Sequence, residues 1–174
     1  MSFSPLVTMF YLAALIAIVA SIKVVTRKNT VHALLYLVIS LIAVAVCFYL
    51  MGAPFAAGLE VIVYAGAILV LFVFAIMLFG LREDETHYTP PHKGLSMWLG
   101  PVALALVLLA QLLYTINHQG IQQQLSATVI DSKQVGILLY GPYLLAVEIA
   151  SFLLLSGLIA AYHFAKDVTY GGQK

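Results

Sequence analysis

The sequence predicts an all-α polytopic membrane protein with five transmembrane helices. Three observations predict it: five long apolar runs, few charges to interrupt them, and lysines and arginines gathered into alternate connections. Of 174 residues, 63% are hydrophobic and 9% are charged. A water-soluble core cannot enclose five apolar faces of that length, whereas a bilayer asks for about 20 predominantly apolar residues per spanning helix. The runs are residues 5–22, 31–50, 55–81, 94–116 and 142–164. Together they make residues 1–174 a single membrane domain.

Each run has its own boundary signals. The first runs from Pro5 to Ile22, ahead of the basic cluster Lys23, Arg27 and Lys28. Because the basic residues follow the apolar stretch instead of preceding it, it reads as a retained helix and not as a cleavable signal. The second and third are separated only by Met51, Gly52, Ala53 and Pro54, which makes them antiparallel neighbours. The third ends at a charged loop, residues 81–93, with Glu83, Asp84, Glu85 and Pro90-Pro91. A polar, glutamine-rich connection, residues 117–134, separates the fourth from the fifth and has room for a short surface helix.

Cytoplasmic loops carry the excess of Lys and Arg. Lys23, Arg27, Lys28, Arg82, Lys93, Lys166 and Lys174 fall on one side and Lys133 alone on the other, seven against one. The N-terminus is therefore expected outside and the C-terminus in the cytoplasm. A formal net charge of +1 with no clustered basic domain excludes a nucleic-acid footprint. The lone Cys47 excludes an internal disulfide, and no Cys/His cluster or Gly-rich phosphate loop is present.

Within the spans, Glu60 and Glu148 are the costly residues. An ionisable side chain near the bilayer centre costs about 2.5 to 3.5 kcal/mol on insertion scales, and such residues mark proton or ion paths by default. Glu60 follows Phe55 by five residues, less than about 10 Å of helix, and Glu148 follows Pro142 by six. At α-helical spacing Glu60, Val63, Tyr64 and Ala67 share a face, and Gly141, Glu148 and Ser151 line up likewise. Gly58, Ala65, Gly66 and Ala67 let another helix approach closely. The bland reading of both acids is hydrogen-bonded packing between helices; the functional one is a proton relay or the wall of a hydrated path. His32 and His163 read as helix-end residues.

Four segments carry a resemblance: residues 31–37 (VHALLYL), 59–68 (LEVIVYAGAI), 70–74 (VLFVF) and 141–148 (GPYLLAVE). In order and spacing they resemble the J subunits of bacterial NADH-quinone oxidoreductase, respiratory complex I. Thr30 departs from the pattern, where related bacterial chains have proline. The resemblance implies a membrane-arm subunit of a redox-driven proton pump in the bacterial cytoplasmic (inner) membrane. Its partners would be other membrane-arm subunits and the lipid bilayer. FMN, iron-sulfur clusters and quinone would belong to other subunits, with no cofactor, metal or catalytic redox centre in this chain. It further implies a π-bulge at Tyr64, Ala65 and Gly66, near a proton path to which Glu60, Tyr64 and Glu148 would contribute. Two other classes fit the residues: a subunit of a multi-subunit cation/proton antiporter and a structural membrane spacer.

Overall fold

The computed structural model describes residues 5–79, 94–117 and 129–170. Among them every regular element is helical, and five helices are long and apolar enough to cross a membrane. The elements are α1 (Pro5–Thr26), α2 (Thr30–Leu50), α3 (Pro54–Leu59), a π-helical segment (Glu60–Ile68), α4 (Leu69–Phe79), α5 (Gly94–Asn117), α6 (Ser132–Tyr140) and α7 (Leu144–Tyr170). By contacts the chain divides into two compact units, Met1–Ile130 and Asp131–Lys174.

In the first unit α2 is the most enclosed element, packed on α1, on the third span and on α5. Small residues explain how close α1 and α2 come. Ala13, Ala20 and Ala43 are fully buried, and the shared core adds Ile16, Ile39 and Leu108. Without a hydrophobic drive between helices in lipid, such packing and interhelical hydrogen bonds hold a membrane bundle together. Here the Ser40 hydroxyl lies 2.8 Å from that of Ser21 and donates to the Ala17 carbonyl at 3.2 Å. Each bond of this kind is worth about 0.6 kcal/mol on average.

Local chemistry ends the helices where they end. Asn29 caps α2 by accepting the His32 N–H at 3.2 Å. At the other end Gly52 adopts φ 88°, a left-handed conformation natural to glycine, and Pro54 opens α3. The hairpin tip is closed by Gly52 N–H to Tyr49 O and Ala53 N–H to Phe48 O. The Ile130 N–H then reaches back to the Gly52 carbonyl at 3.0 Å.

Gly100 shapes the contact of α5 with α2. The missing Cβ at Gly100 leaves the space that the Tyr36 hydroxyl occupies, and Tyr36 is 2% exposed. Farther along, Gln111 is buried, donates from Nε2 to the Met9 carbonyl at 2.8 Å and so ties α5 to α1.

Two expectations need correction. The fifth span does not run from Pro142, because Gly141 leaves the helix at φ −108°, ψ −108° and α7 begins only at Leu144. Proline biases the residue before it away from α-helix, and the Tyr143 N–H closes the turn on the Leu138 carbonyl. Gly141 therefore belongs to the turn after α6, not to the face of Glu148. The second correction concerns the third span, where α-helical spacing fails from Glu60 onward because the winding changes. The end of the third span at Leu81, the loop Leu81 to Lys93, residues 118–128 and Lys174 lie outside the described residues.

Candidate functional site

The third span begins with ordinary α-helical bonding: the Glu60 N–H points to the Ala56 and Ala57 carbonyls. Over the next nine residues, Glu60–Ile68, the chain winds as a π-helix. At its far end the Leu69 N–H reaches five residues back, to the Tyr64 carbonyl. A π-turn holds one residue more per hydrogen-bonded step than an α-turn, and most examples are single-turn bulges within α-helices, frequently at functional sites. Nine residues exceed a single turn, and they also exceed the three, Tyr64 to Gly66, that the resemblance implies.

The winding regroups the side chains. Residues four and five apart stand above one another in a π-helix, so Tyr64 and Ala65 are the next-turn neighbours of Glu60. Val63 and Ala67, which α spacing puts on the Glu60 face, turn away from it. Glu60 is half-buried and Tyr64 is 52% exposed. Among the described residues the Glu60 carboxyl takes part in no hydrogen bond or ion pair.

Gly66 is the position at which the winding meets a side chain. A Cβ built there would stand 3.1 Å from the Val61 carbonyl oxygen, five residues back and part of the same winding. That approach is tight enough that the carbonyl must give way by a few tenths of an ångström. Beyond its contact with α2 and with its own flanking helices, the segment presents exposed apolar side chains, including Ile62 and Ile68, and Val70 and Leu71 continue that surface at the start of α4. Small residues and a half-buried acid on such a surface suit a protein partner better than lipid alone.

Glu148 lies in the second unit, in the second turn of α7. Its backbone carbonyl accepts the Ser151 hydroxyl at 2.7 Å, so that hydroxyl serves its own helix and not a carboxylate. Glu60, Tyr64, Ala65 and Gly66 are thus on one segment and Glu148 is on another unit. No three His, Cys, Asp or Glu side chains come together among the described residues.

Two structural features escape a reading by apolar runs. Gln111 is a lone amide in an otherwise apolar span, and among the described residues its buried Oε1 has no partner. The seating of Tyr36 over Gly100 has no sequence signal, since a glycine in a span fits any close approach.

Residues 20–164 match the family described as NADH-ubiquinone/plastoquinone oxidoreductase chain 6. The chain is 51% identical over 162 residues to NADH-quinone oxidoreductase subunit J of Pseudomonas aeruginosa, covering 91% of this chain and 95% of that one. It is 47% identical over 165 residues to the Escherichia coli protein of the same name, covering 93% and 88%. A third relative of that name, from Buchnera aphidicola, is 43% identical over 158 residues, covering 91% and 96%.

Proposed function

Because the chain belongs to the subunit J family of NADH-quinone oxidoreductase, we propose that its third span is a winding switch that couples quinone reduction to proton translocation. The chain is a multi-pass bacterial inner-membrane subunit of an enzyme complex. In the proposed mechanism, electron transfer through FMN and iron-sulfur clusters to quinone takes place in other subunits. Neighbouring membrane-arm subunits receive the motion. The observation that carries this reading is the hydrogen bond from Leu69 N–H to Tyr64 O, five residues back, in a span of otherwise α-helical character.

Converting the π segment to α winding removes one residue from the turn and rotates one end of the span against the other by about 100°, the angle per residue of an α-helix. That rotation carries the Glu60 and Tyr64 side chains across the surface of the span and so makes or breaks a hydrated contact with a partner helix. The two windings must lie within a few kcal/mol of each other for quinone chemistry to move the population. Gly66 keeps the π winding accessible, because any Cβ there presses on Val61 O. A passive spacer has no use for such a segment, and the match to subunit J favours the oxidoreductase over an antiporter subunit.

Glu60 and Glu148 act in this account as supporting acids of the proton path. Replacing either with glutamine keeps shape and hydrogen-bonding capacity while removing titration. The expected result is partial loss of both quinone reduction and proton pumping in membranes whose complex is fully assembled on a native gel. Failure of both variants to assemble would instead make the acids structural glue.

The orientation proposed for the chain, with its N-terminus outside, is tested by thiol labelling in a Cys47→Ala background. Lys28→Cys should react with an impermeant maleimide only from the cytoplasmic face, and Ala53→Cys only from the outer face. Reversed labelling would overturn the orientation.

A further inference from the structure

At the end of the first unit opposite the Gly52 hairpin, the α1–α2 connection presents Lys23, Arg27 and Lys28, all exposed. Among the described residues none of the three forms an ion pair. The Arg27 guanidinium is held over the ring of Tyr36, with Cζ 5.6 Å from its centroid, and that ring is itself buried against Gly100. A cation stacked on an aromatic face keeps its edge N–H groups available, and a guanidinium's fork matches phosphate geometry. Beside it His32 meets Trp98 edge to face, ring centroids 5.9 Å apart, and Trp98 is 54% exposed. An exposed tryptophan at the end of a span marks the headgroup level of the bilayer. Three cations without an ion pair among the described residues, one of them held in place, thus lie close to a tryptophan of the kind that marks the headgroup level, where the phosphates of a bilayer are concentrated.

We propose that Arg27, Lys28 and Lys23, backed by Tyr36 and flanked by His32 and Trp98, form a binding site for the phosphate headgroup of an anionic phospholipid. The aromatic support distinguishes it from charges that serve orientation alone: the Arg27 guanidinium lies over the buried Tyr36 ring beside the exposed Trp98, so Trp98 and the stem of Arg27 meet the acyl boundary while the guanidinium and the ammonium groups meet the headgroup. Each basic group near an anionic surface contributes on the order of 1 kcal/mol. The site takes a lipid with a net negative headgroup in preference to a zwitterionic one.

The test uses the purified oxidoreductase carrying this chain, in nanodiscs doped with a photo-crosslinkable phosphatidylglycerol or, in parallel, its phosphatidylcholine counterpart. Phosphatidylglycerol should label peptides spanning residues 23–36 or containing Trp98 at least several-fold more than phosphatidylcholine does. Arg27→Gln with Lys28→Gln should reduce that labelling to the phosphatidylcholine level in a complex of normal size on a native gel. Should that double variant fail to assemble, Lys23→Gln with Lys28→Gln, which leaves Arg27 on Tyr36, should still lower labelling. Equal labelling by the two lipids, or labelling unchanged in the variants, would overturn the site. Labelling that is absent in the wild type and appears only after Glu83→Gln, Asp84→Asn and Glu85→Gln would also overturn it, assigning the cations to the chain's own acidic segment.

Discussion

Gly66→Val should lower proton-coupled quinone reduction by about tenfold or more, the consequence of ~1.4 kcal/mol against the π winding. The reason is local. A Cβ at this position stands 3.1 Å from the Val61 carbonyl oxygen in the π-helical segment, and a β-branched side chain restricts the relief available by rotation. In an α-helix, glycine is disfavoured relative to alanine by about 0.8 to 1.0 kcal/mol, so substitution there also steadies the competing winding. Both effects push the span the same way. Gly66→Ala removes the branching and should give a smaller decrease. Electron transfer from NADH to ferricyanide, which needs no quinone step, should stay at the wild-type rate in the same membranes. Equal loss of both activities would mean failed assembly; unchanged activity in an assembled complex would return the third span to ordinary packing.

Gly100→Ala should destabilise the bundle, because the new Cβ would overlap the Tyr36 hydroxyl. Overpacking of a well-filled interior costs about 1–3 kcal/mol, and Tyr36 has little freedom to retreat, being 2% exposed with Arg27 stacked on its ring. The expected outcome is a clear fall in the amount of assembled complex on a native gel and a lower thermal midpoint for what remains. A specific rescue follows from the geometry. Tyr36→Phe removes the overlapping oxygen and leaves the ring carbon that bore it 3.4 Å from the new Cβ, ordinary contact. The double variant should therefore recover most of the assembly that Gly100→Ala loses, a coupling expected only of residues in contact. Additive defects would show that the two residues do not meet in the assembled protein.

Much of this architecture was legible from the chain because lipid makes simple demands. Apolar runs long enough to span, separated by Lys23-to-Lys28 or by Gly52 and Pro54, locate helices without any tertiary knowledge, since every backbone group in a bilayer must bond within its own helix. The helix ends were less legible. α1 continues four residues past Ile22 to Thr26, because a lysine at a span's end can keep its charge at the interface while its stem stays in the helix. Gly141-Pro142 looked like the opening of a span and is a turn, an ambiguity inherent in a proline that begins helices as readily as it follows them.

The candidate site was legible in identity and not in form. Glu60, Tyr64 and Gly66 attract notice as an acid, a phenol and a glycine in a span. Their grouping depends on how many residues fill each turn, and sequence periodicity presumes 3.6. The stretch from Val61 to Ile68 is too uniformly apolar and small for a hydrophobic stripe to reveal a different period. Glu148 stands out by the same cost argument, as an acid in the apolar run of α7.

The central claim is that the third span changes its winding during turnover. Structures of the assembled enzyme in two states, one resting and one trapped during quinone reduction, test it directly through one hydrogen bond. The account predicts that the Leu69 N–H bonds the Tyr64 carbonyl in one state and the Ala65 carbonyl in the other, with the Glu60 end of the span rotated by about 100° relative to α4. The same five-residue bond to Tyr64 in both states, with no rotation, would contradict it.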